Sequence, residues 1–310
     1  MRVRAPAKVN LSLAVLGRRT DGFHELDTVL MALEFGDVLE AAARAGEALA
    51  LSVRGPAAAG VPADDSNLVL SAAHALQALA RQRGLAPGGI EFVLEKHVPA
   101  AAGLGGGSSD AAAAALACSE LWGLDPDDPA VLAALARLGS DCPFFLAARA
   151  SGLARCTGRG ERVEPLPALE LPWTLVVLTP SFGCASADVY RACEPRSAVR
   201  PAHPFDVHAL QSGSLSVARA LLVNDLERAA ERAYPALAEF RVGLEECAPG
   251  AFRLAGSGSS CFGFFPDARA AELALARLGA ALRGRRYGLR AQWFGPARSR
   301  GMNVLDSDLH

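Results

Sequence analysis

The sequence predicts an α+β chain folded as two lobes, and three observations carry that prediction. The first is a strand, a glycine loop and a helix in immediate succession: IEFVLEK, then VPAAAGLGGGSS, then DAAAAALA. The second is that strand-like and helix-like stretches alternate again in the second half, from TLVVLTP onward. The third is a pair of weak linker signals, PLPALELP and the polar stretch Glu194–Pro204. Together these divide the chain at about residue 155, into lobes of roughly 1–155 and 156–310.

Taken in order, Val9, Leu11, Leu13 and Val15 alternate with Asn10, Ser12 and Ala14, the period of a half-buried strand. Lys8, Asn10 and Ser12 then share its other face. GRRTDG (Gly17 to Gly22) is a turn, and strands around Thr28–Leu33 and Val38–Ala42 follow it. Leu68, Ala72, Leu76 and Leu79 have helical spacing, with Ser66 or Asn67 as cap and Gly84 past the end. Ile90, Phe92 and Leu94 alternate against Glu91 and Glu95 as a strand, and Ala111–Ala117 form a helix that Gly123 stops. Asp128 caps a helix with Pro129 in its first turn, running to about Leu138 and stopped by Gly139. In the second lobe TLVVLTP is a strand, and helices cover Val217–Ala233 and Pro235–Glu246. A second glycine stretch, LAGSGSSCFGFF, interrupts a strand pair before a helix through Asp267–Arg283.

Composition excludes several functions. At 310 residues and 51% hydrophobic the chain can bury real cores, and a net charge of −2 leaves no footprint for nucleic acid. Seven cysteines with no Cys-x-x-Cys spacing argue for reduced thiols in a cytoplasmic protein, not a disulfide framework or zinc site. The opening MRVRAPAKVNLSLAVLGRR loosely mimics a signal sequence, but Asn10 and Ser12 interrupt its apolar run, so neither export nor a membrane span is expected. Of 31 basic residues only Lys8 and Lys96 are lysine, and both stand beside the motifs that carry the chemistry. A lysine is a compact point charge rather than a planar fork, a difference that matters near phosphate.

The first glycine loop opens a helix, so unpaired backbone N–H groups and the positive helix end face whatever occupies it. A phosphate suits that position. The loop lacks the Gly-Lys-Ser/Thr ending of a P-loop and the spacing of a dinucleotide fingerprint. Taken alone, it also fits an ordinary connection with a serine cap. PAKVNLSL at the start, PAAAGLGGGSSDAA in the middle and LAGSGSSCFGFF near the end complete a three-part pattern, and with it the chain resembles the GHMP kinases. That resemblance implies the two-lobe fold of those enzymes: an N-terminal ribosomal-protein-S5-like ATP lobe and a C-terminal ferredoxin-like substrate lobe. It also implies ATP and Mg²⁺ as cofactors and a small-molecule alcohol as acceptor.

Gly22-Phe23-His24, GLGGGSSDAA, GSDCPFF and CASADVY are similar to the branch of the family that acts on a cytidine diphosphate substrate in isoprenoid-precursor supply. The resemblance implies that Asp141 accepts the hydroxyl proton and that Lys8 sits beside it. A helix cap is the bland alternative for Asp141, and an exposed edge charge the one for Lys8. Pro99, Ala100, Ala101 and Ala102 would lead into the phosphate loop, Gly103, Leu104, Gly105, Gly106 and Gly107 would form it, and Ser108 and Ser109 would close it at the helix start. Asn67 and Lys96 would line the adenine side. Asn10 would touch substrate, Phe23 and Tyr190 would stack on the two faces of the cytosine, His24 would meet the base edge, and Ser186 the base or diphosphate. Relatives carry a helix carboxylate for magnesium where Ala130 and Val131 stand here, so the metal ligands stay unassigned: serine hydroxyls, or phosphate and water. Another GHMP kinase of mevalonate or homoserine type, or a silent sugar-nucleotide sensor, remains the alternative. Oligomeric state is not legible.

Overall fold

In the computed structural model, residues 1–193, 205–282 and 288–305 are described. The linker stretch Glu194–Pro204 and the expected helix end at Arg283 lie outside them. Two long strands found the first lobe, β1 (Arg2–Arg18) and β2 (His24–Arg44), paired antiparallel with register irregularities at Pro6/Lys8, Asn10/Ser12 and Val15/Gly17. The two short strands expected within 28–42 are one continuous strand, because each half finds a partner. The first half pairs with β5 (Leu153–Gly158) and the second with β4 (Gly89–Glu95). β3 (Leu49–Arg54), unforeseen in the sequence, adds parallel to β4, and β6 (Arg162–Pro165) extends β5.

Four helices cover one face of this sheet: α1 (Leu68–Gln82), α2 (Gly106–Trp122), α3 (Pro129–Leu138) and α4 (Cys142–Ala147). α2 is buried almost all round, and its six alanines, Ala111 to Ala115 and Ala117, are each fully buried. Small side chains let sheet and helices approach it from every side. α1 is capped as expected, Asn67 accepting the Val69 N–H at 2.9 Å. Asp128 does the same for Ala130 at 2.7 Å.

The second sheet is antiparallel, ordered β11 (Leu289–Arg298), β7 (Glu170–Pro180), β10 (Cys261–Phe265), β9 (Phe252–Leu254). Along β7 the residues from Leu175 to Pro180 are buried on both faces. Val176 and Leu178 pack with α8 (Glu227–Ala233), α9 (Pro235–Cys247) and α10 (Ala268–Leu282). Leu175 and Val177 join Val9, Leu11, Val29 and Met31 of the first sheet in one apolar cluster. That shared core fixes the lobes against each other.

The chain changes lobe later than expected. β5 crosses residue 155 and, with β6, stays in the first sheet, so the division falls after Pro165. The second half also returns to the first sheet. β8 (Val223–Asn224) pairs parallel with β1, and β12 (Val304–Leu305) antiparallel with it. The helix expected over Val217–Ala233 is therefore broken into α7 (Leu215–Leu221), β8 and α8. Pairing with β1 outweighs helix propensity there, and the Asn224 side chain reinforces it by donating to the carbonyls of Leu254 (2.9 Å) and Gly256 (2.7 Å). Two short helices, α5 (Ser186–Ala192) and α6 (Val207–Ser212), complete the described elements. None of the described helices is long and apolar enough to cross a membrane.

Candidate active site

A cavity of about 1030 Å³ opens where the lobes meet, walled by β1, β2, the glycine loop, the turn before α4, α5 and the second glycine stretch. Pockets for one small ligand run to about 1,000 Å³ at the upper end, so this one has room for more than one reactant.

The glycine loop is a cradle, not a linker. α2 begins at Gly106, earlier than expected, with Gly105 as its cap at φ +71 and no side-chain cap bond. The serine cap of the ordinary-connection alternative is absent, since Ser108 and Ser109 both lie inside the first turns. The loop is held from behind: the Lys8 N–H donates to Leu104 O at 2.8 Å, and the Ser260 N–H to Ala102 O at 3.0 Å. A Cβ at Gly105 would stand 2.9 Å from Lys8 Cγ and 3.0 Å from Phe145 Cζ, so glycine is needed for both φ and space. At Gly103 (φ +75) a Cβ would strike the Ala255 carbonyl, so the second glycine stretch is the brace on which the first loop rests. Ala101 also takes a positive φ, +53, a strained conformation for a non-glycine residue of the kind that gathers at functional loops.

Lys8 reaches this cavity from β1. Its Nζ lies 3.4 Å from Asp141 Oδ2 and donates to Asn10 Oδ1 at 2.9 Å. Asn10 Nδ2 donates to Thr28 Oγ1 at 2.9 Å, and Thr28 Oγ1 to the Ser12 carbonyl at 2.6 Å. The expected polar face of β1 is thus buried rather than solvated: Lys8 is 4% exposed and Asn10 5%. Asp141 occupies the cap position of α4 yet makes no capping bond, and its side chain stays 34% exposed toward the cavity. The helix-cap alternative for Asp141 fails on that geometry.

Lys96 is the second buried ammonium, at the end of β4. It donates to Asp37 Oδ2 and to Asp110 Oδ2, the latter at 2.6 Å. Asp37 Oδ1 accepts the N–H groups of His97 (2.5 Å) and Val98 (2.8 Å). Burial works against the Lys96 ammonium, but the two carboxylates outweigh it and its pKa is raised. Burial pushes the Asp110 carboxyl up to about 8, with Lys96 opposing and Asp37 adding to the rise. Neither carboxylate was legible as a site residue. The lysine bias was the available signal, since both lysines lie on the cavity wall.

At the other end of the cavity stand Phe23, His24, Arg159, Ser186 and Tyr190. His24 stacks on Tyr190, with ring centroids 5.3 Å apart and planes at 29°. Phe23 is half exposed, with the Arg159 guanidinium 4.6 Å above its ring. His24 Nε2 is buried without a partner, and burial, with Arg18 nearby, lowers its pKa toward the neutral imidazole. Burial raises the Tyr190 phenol, keeping it neutral. Ser186 Oγ pairs with Ser257 Oγ of the second glycine stretch at 2.7 Å. Asn67, Lys96 and the run from Pro99 to Ser108 all line the same cavity. Ser109 is the exception: the turn of α2 points it into the core, fully buried and off the cavity wall.

A glycine cradle, a lysine–carboxylate pair and an aromatic end wall in one interlobe cavity define a phosphotransferase, and two family models match accordingly. GHMP kinases N terminal domain matches residues 67–149, and GHMP kinases C terminal matches 207–284. The chain belongs to the GHMP kinases, ATP-dependent kinases of small molecules. A 4-diphosphocytidyl-2-C-methyl-D-erythritol kinase of Pelotomaculum thermopropionicum is 39% identical over 277 residues, 88% of this chain and 92% of the relative. One of Cereibacter sphaeroides is 39% identical over 301 residues, 96% and 98% of the two chains. A crystal structure of 4-(cytidine 5'-diphospho)-2C-methyl-D-erythritol kinase superposes with TM-score 0.74 at 34% identity, covering 97% of this chain and 100% of that one.

Proposed function

We propose that the chain transfers the γ-phosphate of ATP to the 2-hydroxyl of 4-diphosphocytidyl-2-C-methyl-D-erythritol, a step of the non-mevalonate route to isoprenoid precursors. The observation that carries this reading is the Lys8–Asp141 pair, 3.4 Å apart in the cavity that the glycine loop lines. Phosphoryl transfer asks for in-line placement, neutralisation of charge and an acceptor for the hydroxyl proton. Asp141, partly exposed and free of capping duty, accepts that proton at an Oδ atom. Lys8, fixed by Asn10, holds the carboxylate and steadies the substrate hydroxyl. Backbone N–H groups from Gly103 to Ser108 carry the ATP phosphates at the start of α2.

The aromatic end takes the cytidine. Tyr190 and Phe23 offer ring faces to the base, and the unpartnered His24 Nε2 offers a hydrogen bond to its edge. Ser186 lies beside them. No cluster of three or more His, Cys, Asp or Glu residues arranged for a metal occurs among the described residues. A magnesium ion would arrive on the nucleotide and keep phosphate and water as its ligands. Bound there, it would neutralise charge on the transferring group. The reaction belongs in the cytoplasm, where ATP and reduced thiols coexist.

The test is ATP turnover with the cytidylylated erythritol, the same acceptor without cytidine, mevalonate and homoserine. Turnover confined to the first supports the reading. Preference for mevalonate or homoserine would move the chain to another branch of the family. Binding without turnover would make it a sensor.

A further inference from the structure

Behind the glycine loop two buried carboxylates share one ammonium, and they are not equivalent. Asp37 has partners on both oxygens: two backbone N–H groups on Oδ1 and Lys96 on Oδ2. Asp110 is satisfied only at Oδ2, where Lys96 donates. Its Oδ1 is buried with no partner, on a residue that is 3% exposed and belongs to the cavity wall. An ionised carboxylate with a bare buried oxygen is costly, and two carboxylates at one site do not readily ionise together. We infer that Asp110 stands as the carboxylic acid, so that the Asp37–Lys96–Asp110 cluster is neutral under the nucleotide and turns negative when that proton leaves.

This inference rests on the reading of the cavity as an ATP site. Burial raises the Asp110 carboxyl, and so do the charge of Asp37 and a hydrogen bond shared with its carboxylate, while Lys96 offsets only part of the rise. No other group takes over the task. From β1, Lys8 is engaged by Asp141 and Asn10. From α1, His74 and Arg81 turn to Asp65 and Glu47. α3 carries Arg137 on an exposed position, and α4 presents the buried thiol of Cys142, itself raised by burial. His97, next to Lys96, is taken by Glu95 at 2.9 Å.

The sign follows from the charges. Below the Asp110 titration the cluster is neutral. Above it, a net negative charge sits beneath the triphosphate, so nucleotide affinity falls as the pH rises through the alkaline side of neutrality. Asp110→Asn keeps the shape and cannot ionise.

Two measurements on the full chain test this. In the first, the Kd of a non-hydrolysable ATP analogue is measured from about pH 6.5 to 9.5 for wild type and Asp110→Asn. Titration of the nucleotide cancels in the ratio of the two. The ratio of wild-type to variant Kd is expected to rise about 3- to 10-fold across that range, the scale of one added charge near the phosphates. A constant ratio overturns the inference. In the second, infrared difference spectra of the unliganded protein between neutral and alkaline pH should show loss of a carboxylic-acid carbonyl band that Asp110→Asn lacks. Absence of that band from wild type overturns the assignment of the proton whatever the nucleotide does. Failure of wild type to bind nucleotide at any pH would sink the functional reading and the nucleotide half of this inference, leaving the band alone to decide the proton.

Discussion

Lys8 and Lys96 are the chain's two lysines, both at most 4% exposed and both on one cavity wall, yet their surroundings set them to different work. Lys8 faces one carboxylate that still reaches water and one neutral amide. Lys96 is enclosed by two carboxylates at 3% side-chain exposure or thereabouts, one of them locked to the backbone. A buried ammonium with one accessible acid can act on a third party entering the cavity. A buried ammonium with two enclosed acids has two of its three donors committed and fixes position and charge. The difference teaches that burial alone does not mark a catalytic lysine; what matters is whether its partner remains reachable.

The largest expected effect comes from pressing on Lys8 alone. Gly105→Val adds a β-branched side chain at φ +71 against Lys8 Cγ and Phe145, displacing the lysine and filling the phosphate space. Turnover should fall about 100-fold or more, the usual cost of an ångström of misplacement, and nucleotide binding should be lost with it. Retained ATP affinity in a folded variant would return the loop to a mere connection.

Next comes the Lys96 side of the comparison. Lys96→Met strands two buried acids and should cost about 3–5 kcal/mol of stability in denaturant unfolding, the scale of a broken buried ion pair. Lys8→Met should cost less, about 1–3 kcal/mol, because Asp141 can turn to water and the loss is the donor to the buried Asn10 Oδ1, while turnover collapses. Equal stability losses in the two variants would erase the distinction. A smaller effect concerns the far end of the cavity. Tyr190→Ala should weaken the cytidylylated substrate about 10- to 100-fold, as loss of one stacking face implies, with ATP affinity little changed. Equal loss for both ligands would make Tyr190 a core residue.

The sequence carried the parts of the site that local chemistry dictates. Gly103 and Gly105 were legible because their backbone needs a positive φ, and Asp128 and Asn67 because helix starts need an acceptor. Lys8 and Asp141 were legible through the family pattern, and the structure adds that neither the edge-charge nor the cap alternative holds. What stayed hidden depends on distance along the chain. Asp37 meets Lys96 from 59 residues away, and no local pattern announces such a pair. The break at Val223–Asn224 arises from pairing with β1, which no helical period reveals. The contact of the His24 ring with Tyr190 joins β2 to α5 and is likewise invisible to any local pattern.

The most direct measurement of the central claim is steady-state turnover of Asp141→Asn with ATP and the cytidylylated erythritol. The side chain keeps its size and loses only its charge and its capacity to take a proton. A fall in kcat of about 10²–10⁴-fold, with KM for both substrates and the unfolding midpoint close to wild type, is the predicted result. Near-normal kcat would show that the carboxylate beside Lys8 does not serve the transfer, and the division of labour between the two lysines would be wrong.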